Sequence, residues 1–239
     1  MTRREFFQRR IPRYRKDPLL FFKEVTHFEP DPWQREAAVA VSQHRRVAIR
    51  SGQGVGKTAL EANLMWWFIA CFSYPRIVCT APTMQQLDNV LWAEMAKWLD
   101  ASPVLQMMFT WTKTRVYMNG YDRRWFAVPR TATKPESLQG FHEDNMLFVV
   151  DEASGVADPI LDAIGGTLTG ANNRLLYCGN PTKATGGFAE SFQGDGMGWY
   201  CMTVSSRDSP RTSKENIAAL EKKYGKNSNV VRVLSLIHI

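Results

Sequence analysis

Cysteine and histidine are scarce in this chain, and neither is arranged as a metal-binding set. The cysteines contain no C-x-x-C pair and the histidines are scattered, which argues against a zinc site. Each cysteine lies in an apolar segment, which predicts buried free thiols in a reducing compartment rather than disulfides. The residues concerned are Cys71, Cys79, Cys178 and Cys201, and His27, His44, His142 and His238.

Long apolar runs are also missing. The longest, Leu64–Phe72, is about half the length that a membrane-spanning helix needs, so we interpret it as a buried helix. The first residues are rich in arginine, and no apolar stretch of the kind found in a secretory signal peptide follows them. We therefore expect a cytosolic protein with no membrane partner.

The composition is that of a globular domain with a moderate excess of positive charge. The 239 residues, of which 44% are hydrophobic, allow one large α/β domain or two small ones. The net charge of +7 fits a nucleic-acid partner without establishing one. Basic and aromatic residues crowd residues 1–30, which leaves two interpretations of that segment: a solvated arm, or a surface that contacts nucleic acid or a partner.

The segment at residues 46–59, RVAIRSGQGVGKTA, has the order of a phosphate-binding P-loop. A short apolar run at residues 47–49 predicts a buried strand, and helical spacing begins after the Lys-Thr pair. Glycines let backbone amides turn toward a polyphosphate, and the new helix adds the positive end of its dipole. The predicted nucleotide-binding residues are Ser51, Gly52, Gln53, Gly54, Val55, Gly56, Lys57 and Thr58.

Two residues of this loop have specific expected roles. Lys57 would reach the β- and γ-phosphates of ATP, and Thr58 would bind Mg²⁺ through its hydroxyl. The usual pattern has glycine where this chain has Ser51, so we expect Gly52 and Gly54 to supply the flexibility. The alternative interpretation is a glycine-rich surface loop, which the flanking strand and helix disfavour.

A second apolar run, Met146–Val150, ends in two carboxylates. In α/β sheets such strand ends meet at the edge where ligands bind. We expect Asp151 to complete the magnesium site begun by Thr58, and Glu152 to orient or deprotonate the attacking water. The sequence thus predicts an ATPase site that uses ATP and Mg²⁺.

Two amides are further candidates for nucleotide contacts. Gln34 precedes the P-loop strand and can donate to and accept from an adenine edge, with Trp33 stacking nearby. Asn180 follows a predicted strand and either senses the γ-phosphate or forms a simple Asn-Pro turn.

The remaining periodicity predicts an α/β fold with a mainly parallel sheet. We expect an antiparallel pair, Thr112–Tyr117 and Trp125–Val128, and a polar loop at residues 130–143. Ser213 and Gly225 are the predicted cap and stop of a surface helix. Further strands are predicted at Ile77–Thr80, Arg174–Cys178 and Trp199–Val204, and helices at residues 31–44, 60–71 and 87–100.

Together these motifs resemble the N-terminal ATPase domain of the tailed-phage terminase large subunit. The resemblance covers roughly residues 25–234 and is carried by WQ, RSGQGVGKT, TAPTMQQ, QGF, LFVVDEASGV and LLYCGNPT. It implies a RecA-like (ASCE) P-loop fold with helices on both faces of the sheet. It also implies that Gln34 recognises adenine, that Asp151 and Glu152 are the Walker B pair, and that residues 179–182 couple hydrolysis to DNA movement.

The same resemblance implies partners and a location. They are double-stranded DNA, a portal protein, a small terminase subunit and further copies of the chain in a ring, in the cytoplasm of a bacterial host cell. The TAPT segment also fits a DEAD-like helicase, although the chain has no room for the second motor domain of such an enzyme. A non-catalytic nucleotide-binding assembly module is the third alternative, which Glu152 disfavours.

The chain departs from the family pattern in two places. Many terminases carry a trigger arginine inside the P-loop, whereas here Arg50 stands just before it and is our candidate for that cis-acting role; the alternative is a structural residue paired with a carboxylate. The family's C-terminal nuclease domain is also missing. We expect residues 1–30 to form a basic lead-in, 31–234 the ATPase domain without nuclease activity, and 235–239 a truncated or foreign end.

Overall fold

A central mixed sheet organises the protein. In a computed structural model, which describes residues 3–131, 143–193, 198–225 and 228–233, eight strands follow the spatial order β3-β4-β5-β2-β6-β7-β1-β8. The six strands from β5 to β8 in this order are parallel, and β3 and β4 extend the sheet as an antiparallel edge. The strands are β1 Arg46–Ser51, β2 Arg76–Thr80, β3 Phe109–Trp111, β4 Val116–Met118, β5 Phe126–Pro129, β6 Met146–Val150, β7 Arg174–Gly179 and β8 Trp199–Val204.

Helices cover both faces of this sheet, as the sequence predicts. One apolar cluster joins the sheet to α1–α4 and to the helices between β2 and β3, and a second cluster joins the opposite face to α8 and α9. The helices are α1 Arg3–Lys16, α2 Pro18–Phe21, α3 Pro32–Gln43, α4 Lys57–Cys71, α5 Met84–Gln86, α6 Ala93–Ala101, α7 Pro103–Met108, α8 Asp158–Thr167, α9 Gly187–Glu190, α10 Lys214–Tyr224 and α11 Asn229–Val231. Short π-helical turns extend α2 over Phe22–Thr26 and join α5 to α6 over Leu87–Trp92.

Helix α4 is buried along almost its whole length. Trp66 and Trp67 are fully buried, and their indole nitrogens donate to the backbone oxygens of Met95 and Tyr14. The apolar run that the sequence places after the P-loop is therefore a core helix, as predicted. Among the described residues, no helix is long and apolar enough to cross a membrane.

The basic N-terminal segment lies on the domain. Phe7 and Tyr14 of α1 are buried, and Arg15 Nε donates to the carbonyl oxygen of Cys71 at the end of α4. The described part of this segment therefore forms docked helices whose aromatic side chains join the core, rather than a solvated arm. A domain boundary at residue 30 stays a prediction.

Several local predictions can be compared with the structure. Ser213 caps α10 by accepting from the Asn216 amide, and Gly225 ends it with a φ of 87°, as expected. The antiparallel prediction is right in kind, but residues 112–115 form a hairpin turn closed by Thr112 and Arg115, so β4 begins only at residue 116. The QGF segment of the polar loop and residues 235–239 lie outside the described residues.

The cysteine prediction holds for three of the four thiols. Cys71, Cys79 and Cys178 are buried, whereas Cys201 on the edge strand β8 is exposed; all four are free. The prediction was wrong for Cys201 because an edge strand buries its side chains only where another element covers them.

Candidate active site

The P-loop takes a conformation that depends on two of its glycines. Gly54 and Gly56 have φ values of 74° and 93°, in the left-handed region that glycine enters without strain. Gly52 has no positive φ, so the flexibility predicted for Gly52 and Gly54 is found instead at Gly54 and Gly56. Ser51 is buried and its hydroxyl donates to the carbonyl oxygen of Gly52. A serine is therefore accommodated where the usual pattern has glycine.

The other P-loop residues fall into two groups. Val55 is buried in the core and anchors the loop, whereas Gln53 is exposed and its carbonyl oxygen accepts from Ser206 Oγ at 2.8 Å. Lys57 and Thr58 begin α4, with Gly56 as the N-cap. The first backbone amides of a helix lack intrahelical acceptors, so this end of α4 offers donors to an anion.

Three predicted residues meet at the carboxyl ends of the strands. Lys57 Nζ donates to Asn180 Oδ1 at 2.7 Å and lies 3.8 Å from Glu152 Oε1. This happens because β7 lies between β1 and β6, so all three strands deliver their following residues to one edge. Lys57 and Asn180 are buried, and the Glu152 side chain is 40% exposed.

Asp151 is a buried carboxyl beside this cluster. Burial is the main cause that raises its pKa, to about 6; the charge of Glu152 adds to the increase, and Lys57 opposes it. A buried carboxylate next to a second carboxylate is stabilised by a bound cation. Oxygen ligands also suit Mg²⁺, which takes only one or two protein carboxylates and completes its shell with water and phosphate. Asp151 and the Thr58 hydroxyl therefore fit the predicted ion.

Glu152 adopts an unusual backbone conformation. Its φ of 48° lies in the left-handed region, which non-glycine residues seldom occupy outside turns and functional sites. Gly179 makes this turn possible, because a Cβ on Gly179 would lie 2.9 Å from the backbone nitrogen of Ala153. The glycine of the GNPT segment thus allows the Walker B turn to approach β7 closely.

Further contacts join the loops around the site. The hydroxyls of Ser154 and Thr182 share a hydrogen bond of 2.7 Å, which links the DEASG and GNPT segments. Gly155 lies against Pro82 of the TAPT segment, at a distance that leaves no room for a Cβ. Four of the sequence motifs therefore form one contiguous structure at the edge of the sheet.

Gln34 has a structural task in addition to its predicted one. It is fully buried, donates from Nε2 to the carbonyl oxygen of Gly56 at 2.8 Å, and accepts at Oε1 from the Asp31 amide. The glutamine thus ties the start of α3 to the P-loop. Recognition of adenine by Gln34 stays a prediction.

Arg50 lies away from the P-loop cluster. It alternates with Ala48 along β1 and so projects from the sheet face that carries α8 and α9, where it donates to Thr203 Oγ1 at 2.9 Å. Its guanidinium also lies 4.8 Å from the ring centre of Phe192. The structure does not bring Arg50 together with Lys57 and Glu152, and the trigger role stays a prediction.

Two residues near the site were missed in the sequence. Glu61 on α4 is fully buried, and burial together with the charge of Asp151 raises its pKa well above the ordinary value. Arg211 lies beside Gly56 in the segment that follows β8. A signal for Arg211 existed: β8 precedes a Ser/Pro-rich loop, and a strand parallel to β1 must deliver that loop to the P-loop edge.

Comparisons with known proteins identify a family for this architecture. A model of the phage terminase large subunit gpA ATPase domain matches residues 24–184. A probable terminase large subunit of Enterobacteria phage P7 is 28% identical over 220 residues, which cover 85% of this chain and 44% of that protein. The chain therefore spans less than half of the length of this relative.

Solved structures of similar fold include three large terminases. The ATPase domain from Thermus phage P74-26 matches with a TM-score of 0.72 at 17% identity, over 92% of this chain and 97% of that one. The HK97 enzyme matches with a TM-score of 0.72 at 18% identity, over 94% and 55%. A large terminase from a thermophilic bacteriophage, in complex with ADP, matches with a TM-score of 0.63 at 12% identity, over 93% and 52%. The predicted RecA-like α/β fold is confirmed.

Proposed function

Because the chain belongs to the family of phage terminase large subunit gpA ATPase domains, we propose that it hydrolyses ATP to drive double-stranded DNA into a viral prohead. The observation that carries this proposal is the meeting of Lys57, Asn180 and Glu152 at one edge of the sheet. A lysine at a helix N-terminus and a partly exposed carboxylate beside it are what phosphoryl transfer to water requires. The ADP complex of the thermophilic bacteriophage terminase supports nucleotide binding by this fold.

The roles of the residues follow from their positions. The P-loop amides and Lys57 would bind the phosphates, and Thr58 with Asp151 would hold Mg²⁺, which neutralises charge on the transferred phosphoryl group. Glu152 is close enough to Lys57 to face the same phosphate and exposed enough to reach water. It would orient or deprotonate that water. Gln34 would bind adenine through its remaining hydrogen-bonding capacity.

Coupling to DNA would pass through the GNPT segment. Asn180 contacts Lys57, and Thr182 contacts Ser154 of the Walker B turn, so one short segment touches both halves of the site. A change in the contacts of Lys57 on hydrolysis would reach this segment directly. Double-stranded DNA, a portal protein, a small terminase subunit and a ring of copies are the proposed partners, in the cytoplasm of the bacterial host.

Paired substitutions test the enzymatic part of this proposal. We expect Lys57→Ala to abolish hydrolysis, because it removes the cation on the phosphates. Glu152→Gln should bind ATP normally and turn over about 100-fold more slowly, the scale of a positioned general base. Steady-state phosphate release and nucleotide titration measure both. Wild-type turnover in Glu152→Gln would contradict the role of that residue.

DNA supplies the second test. We expect double-stranded DNA to stimulate hydrolysis, and we expect plasmid incubated with Mg²⁺ or Mn²⁺ to stay uncut by this fragment. Lys57→Ala serves as the control for contaminating nucleases. Cleavage that persists in Lys57→Ala and disappears when an acidic residue after Thr182 is replaced would contradict the assignment as a motor domain alone.

A further inference from the structure

The segment that follows β8 lies over the P-loop. Ser206 Oγ donates to the carbonyl oxygen of Gln53, and a Cβ on Gly54 would lie 3.3 Å from Thr212 Cγ2. Residues 205–213 thus run alongside the same loop that the proposed function assigns to the phosphates. We call this stretch the cover segment.

Arg211 is the cation that the cover segment brings to the P-loop. A Cβ on Gly56 would lie 3.1 Å from Arg211 Cδ and 3.2 Å from its Nε, so the guanidinium stem touches the N-cap of α4. The P-loop itself contains no arginine between Ser51 and Thr58. The cover segment therefore supplies a guanidinium where the loop sequence lacks one.

The guanidinium is positioned by one acceptor and retains free donors. Arg211 Nε donates to Asp31 Oδ2 at 2.7 Å, and the arginine side chain is 41% exposed. Among the described residues, its two terminal nitrogens have no hydrogen-bond partner. An arginine carries five N–H donors in a planar fork that matches phosphate oxygens. Four of these donors are thus available in this structure.

Electrostatics explain why an anion belongs there. The N-terminus of α4 carries partial positive charge, and Lys57 adds a full one, so a further cation beside Gly56 is unfavourable unless an anion compensates it. Asp31 compensates part of this charge. The phosphates of a nucleotide on the P-loop would compensate the rest.

We propose that Arg211 is a nucleotide-binding residue, which donates from its terminal nitrogens to the phosphates while Asp31 holds its Nε. This inference rests on the proposed function, because it requires a nucleotide on the P-loop. It adds a binding residue from the cover segment, which lies more than 150 residues after the P-loop. It also predicts that nucleotide occupancy is sensed by the segment leading into α10.

Calorimetric titration of the 239-residue chain with Mg²⁺-ATPγS, and separately with inorganic tripolyphosphate, tests the inference. We expect Arg211→Gln to weaken both affinities about tenfold or more, as the loss of a charge-assisted hydrogen bond does. Arg211→Lys should recover part of the loss, because it keeps the charge without the fork. Arg207→Gln is the matched control: Arg207 lies in the same segment but pairs with Glu221.

Asp31→Asn separates binding from a purely structural latch. Asparagine caps a helix as well as aspartate does, so α3 is preserved while the ion pair is lost. We expect this variant to bind both ligands as tightly as the wild type or more tightly. Equal weakening in Asp31→Asn and Arg211→Gln would overturn the proposal, because Arg211 would then act only through the pair.

Three further outcomes are decisive. Wild-type affinities in Arg211→Gln would overturn the proposal, and weakening for ATPγS alone would also overturn it, because the arginine would then contact the base or ribose. Lys57→Ala distinguishes this failure from that of the proposed function. If Lys57→Ala binds ATPγS like the wild type, the P-loop assignment itself fails and the inference falls with it.

Discussion

Lys57 donates a hydrogen bond from Nζ to Asn180 Oδ1 at 2.7 Å, so the P-loop cation rests on the tip of the neighbouring strand. Both groups are buried, which makes this bond the main contact of the ammonium within the described residues. A γ-phosphate would compete with the amide for the same lysine. The pair is therefore a physical means by which the state of the nucleotide could reach the GNPT segment.

The first prediction concerns Asn180. We expect Asn180→Ala to keep nucleotide affinity within about threefold, since a neutral hydrogen bond contributes only about 0.5–1.5 kcal/mol. Hydrolysis should fall about tenfold or more, because Lys57 is no longer held in position. Asn180→Asp should weaken ATP binding more, because a carboxylate beside Lys57 neutralises it. Titration and phosphate release measure both, with Asn172→Ala in the exposed loop before β7 as the control.

Arg50→Lys tests the trigger prediction. That role requires hydrolysis to fall about tenfold or more at an unchanged melting temperature, because lysine keeps the charge but loses the planar fork. The contacts of Arg50 with Thr203 and Phe192 favour a structural role instead. Phosphate release and thermal unfolding of the same samples decide between them. A lower melting temperature with normal turnover per folded molecule would contradict the trigger role.

Glu61 gives a prediction about the pH dependence of stability. Its pKa is raised in the folded state above the ordinary value of 4.5, so the folded protein binds more protons than the unfolded chain above that pH. Stability is therefore fully present below pH 4.5 and falls as pH rises, by up to about 1.4 kcal/mol per pH unit. Glu61→Gln should remove this slope, and its free energy of unfolding should exceed that of the wild type more at about pH 8 than at about pH 5.

Denaturant unfolding at several pH values measures this difference. Glu36→Gln, an exposed residue of α3, is the control and should keep the wild-type slope. Asp151, with a pKa of about 6, contributes a smaller slope of the same sign that both variants retain. An identical pH profile in Glu61→Gln and the wild type would show that Glu61 is not the residue that titrates.

The sequence was sufficient for the parts of the site that depend on strand order. The apolar runs before Ser51 and Asp151 predicted two parallel strands, and parallel strands present their following residues at one edge. Patterns along the chain do not encode which distant loops touch. The bond between Gln34 and Gly56, and the position of Arg211, depend on how the ends of α3 and β8 meet the P-loop. Arg50 was misleading because proximity in sequence does not specify the face of the sheet.

The close approach of Gly179 to the Walker B turn leads to the last prediction. A Cβ at this position would lie 2.9 Å from the backbone nitrogen of Ala153 and 3.5 Å from Cα of Glu152, and a backbone neighbour cannot rotate away. We expect Gly179→Ala to lower the free energy of unfolding by about 1–3 kcal/mol, the usual cost of overpacking. It should also reduce hydrolysis, because Glu152 is displaced. Gly165→Ala in α8 is the matched control: its Cβ would meet no atom within 4 Å, and alanine should stabilise the helix by about 0.5–1 kcal/mol. If Gly179→Ala unfolds and hydrolyses ATP like the wild type, the Walker B turn does not depend on this contact, and the GNPT segment must influence the site through Asn180 instead.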